Sequence, residues 1–304
     1  MPTLVLIDGH AIIHRAYHAY PPLTTHKGEL VNAVYGFTSI LLTVLGRLCP
    51  EYVAVAFDKK APTFRHLQFK AYKAHRKPVD QELIEQIPRV HEVVQALNIP
   101  IFEIDGFEAD DVIGTLAKQA GDKDNKLDVN IITGDADALQ LVNGLIKVYM
   151  PPRGKNPEKI FDEKEVLKVY GLQPEQIIGL KALSGDASDG IPGVDGIGPK
   201  TATRLLQQFP TIKDIYDNLG LVEGKVKEKL VKGKEQALLS EQLATIITEV
   251  PIELNLEKCR LSDYNIEAVT QLFEKLEFRT LLKRLPKTEQ KQKAKIDNKQ
   301  MNLF

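Results

Sequence analysis

Short apolar runs alternate with helical patterns over the first half of the chain. Five of the runs are brief and rich in β-branched residues, as is typical of buried strands: TLVLI, YVAVAF, IPIFEI, VNIIT and LIKVYM. Stretches at 80–97 and 109–120 lie between them and follow a helical pattern. This alternation predicts an α/β domain over residues 1–160, with a mainly parallel central sheet and helices on both faces.

The rest of the chain follows a different pattern. Residues 161–286 are mainly helical in pattern and contain the turn-rich stretch GDASDGIPGVDGIGP. Residues 287–304 begin with KTEQKQKAKIDNKQ, which is polar and basic and is typical of a flexible tail. No apolar run reaches the roughly 18 residues of a membrane span, so no membrane partner is predicted. Cys49 and Cys259 offer no disulfide framework, so a reducing cytoplasm is expected, with the protein associated with the nucleoid. We also expect a monomer.

The overall charge conceals a strong local bias. The 304 residues carry a net charge of −1, yet residues 59–77 hold seven Lys or Arg and no Asp or Glu. Phe64, Phe69 and Tyr72 are interleaved with these cations. Cations neutralise phosphates and aromatic faces accept unstacked bases, so this basic run favours nucleic-acid binding over the alternative of a solvated amphipathic helix.

Acidic residues follow three of the predicted strands. Asp8 follows TLVLI, Asp58 follows YVAVAF, and Asp135 and Asp137 follow VNIIT. Because ligands bind at the carboxyl ends of strands in open parallel sheets, we expect these carboxylates to lie at one edge. The motifs GFEADD and GDASD add further acids: Glu108, Asp110, Asp111, Asp186 and Asp189. Any one of them alone is typical of a turn or helix cap, but together they favour hard divalent ions such as Mg²⁺ or Mn²⁺.

These motifs resemble a known family. LIDGH, FEADDVIGTLA, TGDADALQLV and GDASDGIPGVDGIGPKTA are similar, in order and spacing, to the 5′ nuclease domain of bacterial DNA polymerase I over about residues 1–286. Phage 5′ nucleases and eukaryotic flap endonucleases belong to the same superfamily. One departure is Gly190, where the family usually has Asn in the motif SDNIPG. We expect a stand-alone nuclease without a fused polymerase.

The resemblance implies a two-metal site and a gateway segment, residues 59–95, that orders the 5′ strand. All nine family acids are present: Asp8, Asp58, Glu108, Asp110, Asp111, Asp135, Asp137, Asp186 and Asp189. The stretch YKAHR is similar to the family motif YKxNR, which implies that Lys73 and Arg76 contact the scissile phosphate. Further DNA contacts are expected from Arg65, Lys70 and Tyr72.

The stretch GVDGIGPKTATRLLQQF indicates a helix–hairpin–helix. Gly196 and Gly198 would let backbone N–H groups approach a DNA phosphate at a helix N-terminus, with Lys200 nearby. Family resemblance further implies a potassium ion held by backbone oxygens. The oxygens expected to hold it belong to Leu183, Ser184, Pro192, Val194 and Ile197.

Three histidines offer an alternative metal site. His10, His14 and His18 are spaced so that a helix would align them on one face. Zinc is disfavoured because no Cys or HExxH pattern accompanies them, so phosphate contact or packing is expected instead.

The function expected from these features is metal-dependent 5′–3′ exonuclease and 5′-flap endonuclease activity on DNA, in replication and repair. The alternatives are a structure-specific DNA-binding protein with little catalysis and an RNA nuclease of the PIN-like group. A phosphatase of the haloacid dehalogenase type is disfavoured, because LIDGH lacks the second Asp of that family's nucleophile motif.

The last five residues suggest a protein partner. QMNLF resembles the short peptide by which bacterial proteins dock on the β sliding clamp, and leaving its apolar side chains exposed serves no core. The residues expected to bind the clamp are Gln300, Met301, Leu303 and Phe304.

Overall fold

The computed structural model describes residues 1–122, 126–261 and 264–286. Its central element is a six-stranded sheet in the order β3-β2-β1-β4-β5-β6, parallel except for the β5–β6 pair. The strands are β1 Thr3–Asp8, β2 Tyr52–Ala56, β3 Ile101–Phe102, β4 Asp128–Ile132, β5 Ile146–Met150 and β6 Lys159–Phe161. All five predicted strands are present, and the predicted α/β class is confirmed.

Helices cover both faces of the sheet and form the C-terminal part. Those of the first half are α1 Gly9–Ala19, α2 Asn32–Leu48, α3 Phe64–Gln68, α4 Gln81–Ala96 and α5 Ala109–Gly121. Those of the second half are α6 Glu163–Tyr170, α7 Gln176–Ser184, α8 Pro199–Gln208, α9 Ile212–Asp217, α10 Gly224–Lys232, α11 Lys234–Ala244, α12 Leu256–Cys259, α13 Ile266–Lys275 and α14 Arg279–Leu282. Short 3-10 turns occupy Asp137–Leu141 and Leu219–Leu221. Among the described residues, no helix is both long and apolar enough to span a bilayer.

Strand β1 shows how the sequence produces the layers. Its residues alternate between two cores: Val5 and Ile7 pack with α2 and α4, whereas Leu4 and Leu6 pack with α5. Because successive strand side chains point to opposite faces, a run that is apolar at every position must be covered on both sides. This burial holds the carboxyl end of β1, and with it Asp8, in a fixed position.

Strand β6 was not predicted. It has only three residues and pairs antiparallel with β5, with Phe161 opposite Val148. So short a run between charged residues carries no period-two signal, and its strand conformation comes from pairing with the sheet edge.

The C-terminal part does not pack as one unit. A separate core joins residues between Leu172 and Ala237. Beyond it the chain returns to the sheet: Cys259 lies in the core on the α5 side, and Phe273 and Phe278 lie in the core with α2 and α4. The range 161–286 therefore contains one helical module and one segment that completes the α/β layers. The tail 287–304, with the predicted clamp-binding residues, lies outside the described residues.

Candidate active site

Three strand ends and one helix start bring acidic residues to the same edge of the sheet. Asp8 ends β1, Asp58 lies just past the end of β2, and Asp135 lies just past the end of β4. Helix α5 is tied to this edge because the backbone N–H of Ala109 donates to Asp58 Oδ1 at 2.7 Å. That contact brings Asp110, the next residue of α5, to the strand ends.

These four carboxylates share one electrostatic environment. Burial, followed by the charges of Asp58 and Asp135, raises the pKa of Asp8 to about 7, even though Asp8 accepts hydrogen bonds from Ala11 and Thr133. Burial also raises the pKa of Asp110 well above its usual value, with Asp8, Asp135 and Asp58 adding to the effect. Burial and the nearby like charges disfavour the ionised forms of Asp8 and Asp110, and a bound cation relieves that penalty.

The donor chemistry of this group suits a divalent cation. Among the residues that the structure describes, no three His, Cys, Asp or Glu side chains stand close enough to enclose a metal ion as they lie. The group nevertheless offers only carboxylate oxygens, which hard ions such as Mg²⁺ and Mn²⁺ prefer. By chemistry and by charge, the residues fit a divalent-ion site.

The remaining acids are paired with cations. Lys73 Nζ donates to Glu108 Oε1 at 3.0 Å, and Arg76 pairs with Asp189. Lys181 donates to both Asp137 and Asp186. Although burial alone would raise it, the contacts with Lys181 and Ser188 lower the pKa of Asp186 to about 2.

The sequence pattern did not indicate Lys181 as a residue of the site. It lies in the last turn of α7, and its two partners are 44 and 5 residues away along the chain. The available signal was a lysine in the helical turn that precedes the motif GDASD.

Two of the predicted DNA contacts are corrected. Arg65 is buried and pairs in a bidentate manner with Asp111, so its guanidinium is withdrawn from solvent and from any phosphate. Tyr72 is also buried, and its hydroxyl donates to Glu108 at 3.0 Å and to Asp189 at 3.3 Å. Burial and these two acids raise the pKa of Tyr72, so the hydroxyl keeps its proton and remains a donor.

Asp111 also has a role other than the one expected. Its Oδ1 accepts from Arg65 and from the backbone N–H of Ile247, and its Oδ2 accepts from Arg65 and from the N–H of Glu108. Each carboxylate oxygen thus accepts two hydrogen bonds, and the Asp111 side chain is fully buried. The structure therefore places Asp111 in a buried ion pair behind the site, not among the oxygens free to ligate metal.

The cations of the gateway segment face the acids directly. Only residues 64–68 of the basic run are α-helical, and residues 70–75 form turns in which Lys70 is exposed. Lys73 adopts a left-handed conformation, with φ of 53°, and its backbone N–H donates to the carbonyl of Asp189 at 2.8 Å. Such a backbone is rare for a lysine and here aims Nζ at Glu108.

The predicted hairpin is present. Gly198 caps α8, Pro199 begins it, and Lys200 is exposed. Gly196 has φ of 71°, and Lys229 Nζ donates to its carbonyl oxygen at 2.8 Å. Lys229, on α10, is a second cation at the hairpin that the sequence pattern did not indicate.

Hydrogen bonds join the backbone segments that are expected to hold potassium. The N–H of Val194 donates to the carbonyl of Leu183 at 2.8 Å, and the N–H of Ile197 donates to the carbonyl of Val194 at 3.0 Å. The hydroxyl of Ser184 donates to the carbonyl of Leu180, and Pro192 lies against Gly185. Leu183 and Ser184 therefore end α7, and Pro192, Val194 and Ile197 lie in the loop between α7 and α8.

The three histidines lie along α1, as expected. The backbone N–H of Asp58 donates to His10 Nδ1 at 3.0 Å, and burial lowers the pKa values of His10 and His14. A neutral His10 that accepts this bond helps to hold the loop of Asp58.

Comparison with known proteins gives a family and a fold. Residues 3–171 match the family model described as 5′-3′ exonuclease, N-terminal resolvase-like domain. Residues 172–267 match the model described as 5′-3′ exonuclease, C-terminal SAM fold. The chain is 43% identical over 284 residues to DNA polymerase I of Caldicellulosiruptor bescii and 44% identical over 283 residues to that of Bacillus subtilis. It covers 33% and 32% of these proteins, while 93% of the chain is aligned, so it spans about a third of their length.

Solved structures share the fold at low identity. The D15 protein of phage T5, co-crystallised with metal ions, aligns with a TM-score of 0.68 and 21% identity, over 93% of this chain and 99% of that chain. The catalytic core of Rad2 in complex with a DNA substrate aligns with a TM-score of 0.59 and 18% identity, over 90% of this chain and 87% of that chain.

Proposed function

Because the chain belongs to the 5′-3′ exonuclease family, we propose that it hydrolyses DNA phosphodiester bonds at 5′ ends and at 5′-flap junctions. The products would carry a 5′ phosphate, and the role would be in replication and repair. DNA is the substrate proposed because the hairpin with Lys200 and Lys229 offers backbone and cationic phosphate contacts that require no base recognition.

One observation carries the proposal. Asp8, Asp58, Asp110 and Asp135 lie at the carboxyl edge of the sheet, where no lysine or arginine of the described residues pairs with them, and Lys73 reaches the same edge through its contact with Glu108. A phosphodiester needs its charge neutralised and water activated beside it, and this arrangement provides acidic oxygens on one side and fixed cations on the other.

Divalent cations, when bound, would supply an activated water and neutralise the leaving oxygen. We assign their binding to Asp8, Asp58, Glu108, Asp110, Asp135, Asp137, Asp186 and Asp189, and we assign Asp111 to positioning. Mg²⁺ and Mn²⁺ both suit this oxygen donor set.

The gateway residues act on the substrate. Lys73 and Arg76 would leave Glu108 and Asp189 for the phosphate that lies between the gateway segment and the acids. Tyr72 remains a donor to the same two acids and holds their positions while the cations move. Lys70, exposed beside them, would contact the backbone of the 5′ strand.

The test uses 5′-labelled flap, nicked and single-stranded DNA with Mg²⁺, beside the same substrates in chelator. We expect cleavage of flap and nicked DNA only with metal. An RNA strand of the same sequence distinguishes a DNA enzyme from a PIN-like RNA nuclease. Tight binding of flap DNA without any cleavage would contradict the proposal and favour a structural DNA-binding protein.

Potassium at the hairpin is a separate proposal. The support for it is that Leu183 and Ser184 end α7, and that Pro192, Val194 and Ile197 lie in the same loop as Gly196 and Gly198, where DNA would approach. An ion held there would supply positive charge for a DNA phosphate. Affinity for duplex DNA should be higher in KCl than in LiCl at equal ionic strength, and equal affinity would count against the site.

The β sliding clamp is proposed as a partner through residues 300–304. Gln300, Met301, Leu303 and Phe304 follow a basic, polar run and combine one amide with three apolar side chains, the chemistry that fits a clamp groove. Purified clamp should bind the full chain but not a chain truncated after Lys299. Equal affinity for both, or for neither, would refute the docking, and truncation should leave nuclease activity intact.

A further inference from the structure

The ammonium group of Lys181 lies between two acids from different parts of the fold. Asp137 belongs to the 3-10 turn that follows β4, and Asp186 belongs to the loop that follows α7. Lys181 Nζ donates to Asp186 Oδ2 at 2.6 Å and also contacts Asp137 Oδ1. The Lys181 side chain is only 15% exposed, so this pairing takes place largely out of solvent.

Within the part of the chain that the structure describes, the acids of the other half (Asp8, Asp58, Asp110 and Asp135) form no ion pair with a lysine or an arginine, and Asp58 lies 3.5 Å from His10 Nδ1. The groups that raise the pKa of Asp110, after burial, are Asp8, Asp135 and Asp58, and the charge of Lys73 opposes them. The acids are therefore divided. Asp8, Asp58, Asp110 and Asp135 repel one another, whereas the charges of Asp137 and Asp186 are neutralised by Lys181.

We propose that Lys181 is an internal counter-ion that occupies the place of the second divalent ion while DNA is absent. A divalent ion that binds Asp137 and Asp186 must displace the ammonium, because one set of carboxylate oxygens cannot serve both cations. This inference rests on the proposed metal-dependent function and adds a regulation to the same site.

The displacement couples metal binding to substrate binding. A lysine removed from two carboxylates in a partly buried place needs another anion, and a DNA phosphate beside the acids supplies one. DNA would therefore favour the second ion, and by linkage the second ion would favour DNA. The DNA-free protein would therefore bind one divalent ion well and the second poorly.

A different role for Lys181 predicts the opposite sign. If Lys181 merely orients Asp137 and Asp186 for the ion, its removal weakens binding of the second ion. If it competes with the ion, its removal strengthens that binding. The sign of the change therefore decides between a positioning lysine and a competing one.

The test is titration of the full DNA-free chain with Mn²⁺, followed by the electron paramagnetic resonance signal of free Mn²⁺. For Lys181→Met we expect the weaker site to tighten by about tenfold, in the usual range of coupling between sites, with the stronger site unchanged. Lys181→Arg keeps the charge and should keep the weaker site weak. Lys213→Met is the matched control, since Lys213 forms an exposed pair with Asp217 and lies outside the acidic group.

Unchanged or weaker binding in Lys181→Met, or equal tightening in Lys181→Arg, would overturn the proposal. If Lys181→Met is unstable without metal, the rise of its melting temperature on addition of Mn²⁺ gives the same decision: it should exceed the rise seen for the wild type. Cleavage of flap DNA by the wild-type chain is measured separately. An inactive wild type refutes the proposed function, whereas an active wild type with unaltered Mn²⁺ affinity in Lys181→Met refutes only the counter-ion.

Discussion

The guanidinium of Arg65 and the carboxylate of Asp111 form a bidentate ion pair that is closed to solvent, with Nη1 to Oδ2 at 2.7 Å and Nη2 to Oδ1 at 2.8 Å. The two side chains are 3% and 0% exposed. Arg65 also donates to the carbonyls of Leu243 and Thr245, and Asp111 accepts from the N–H of Ile247. The pair thus joins α3 of the gateway segment, α5 of the acidic site and the segment after α11.

Loss of Arg65 should be costly. Arg65→Ala leaves Asp111 as an unpaired buried charge, which typically destabilises a protein by about 3–5 kcal/mol. Urea denaturation should show this loss in the free energy of unfolding. Lys118→Ala is the matched control on the same helix as Asp111, because Lys118 forms an exposed pair with Glu249 and its loss should cost about 0–1 kcal/mol. If the free energy of unfolding falls by a similar amount in both variants, the buried pair stabilises the protein no more than an exposed one.

Loss of the charge on Asp110 and loss of the charge on Asp111 should change the stability of the protein in opposite directions. Asp110→Asn removes a buried charge that Asp8, Asp135 and Asp58 repel, and it should raise the free energy of unfolding of the metal-free protein. Asp111→Asn breaks the pair with Arg65 and should lower it. Melting curves in chelator and in Mg²⁺ would show both effects, with Mg²⁺ stabilising the wild type more than Asp110→Asn.

Cleavage should be abolished in Asp110→Asn while DNA binding remains. Wild-type turnover by Asp110→Asn would refute its place in the metal site, whatever its stability. Destabilisation of Asp110→Asn to the level of Asp111→Asn would mean that its charge is not repelled.

Lys73 should act in the chemical step. Lys73→Ala removes an oriented cation that faces Glu108, and single-turnover cleavage should fall by about a hundredfold or more. Lys60→Ala, at an exposed lysine of the basic run, should mainly weaken DNA binding and flatten its salt dependence. Equal single-turnover rates in Lys73→Ala and the wild type would exclude a catalytic role for Lys73.

Gly190 joins the GDASD loop to the gateway segment. Its φ is 72°, and a Cβ there would lie 2.8 Å from the carbonyl oxygen of Ala71. Gly28, with φ of 80° and nothing near its Cβ position, provides the control. Both alanine variants should pay the left-handed backbone cost of about 1–2 kcal/mol, but only Gly190→Ala should also displace the gateway and slow cleavage. Equal cleavage rates in the two variants would show that this contact does not position the gateway.

The sequence by itself determined strands β1 to β5 and the edge at which the acids gather. Runs such as TLVLI are apolar at every position, and only a strand covered on both faces can bury them. An acid that follows such a strand must then lie at the carboxyl edge of a parallel sheet, so the positions of Asp8, Asp58 and Asp135 could be predicted. The basic run was also visible, because charge composition is a local property.

Only the tertiary structure decided which charges meet. Asp110 and Asp111 are adjacent and chemically identical, yet successive residues on a helix point about 100° apart. Asp111 therefore turns inward to Arg65, while Asp110 faces the other acids. Lys181 pairs with Asp137, and α13 packs into the core that contains α2 and α4. Both contacts join segments that are far apart in the chain, so no local sequence pattern encodes them.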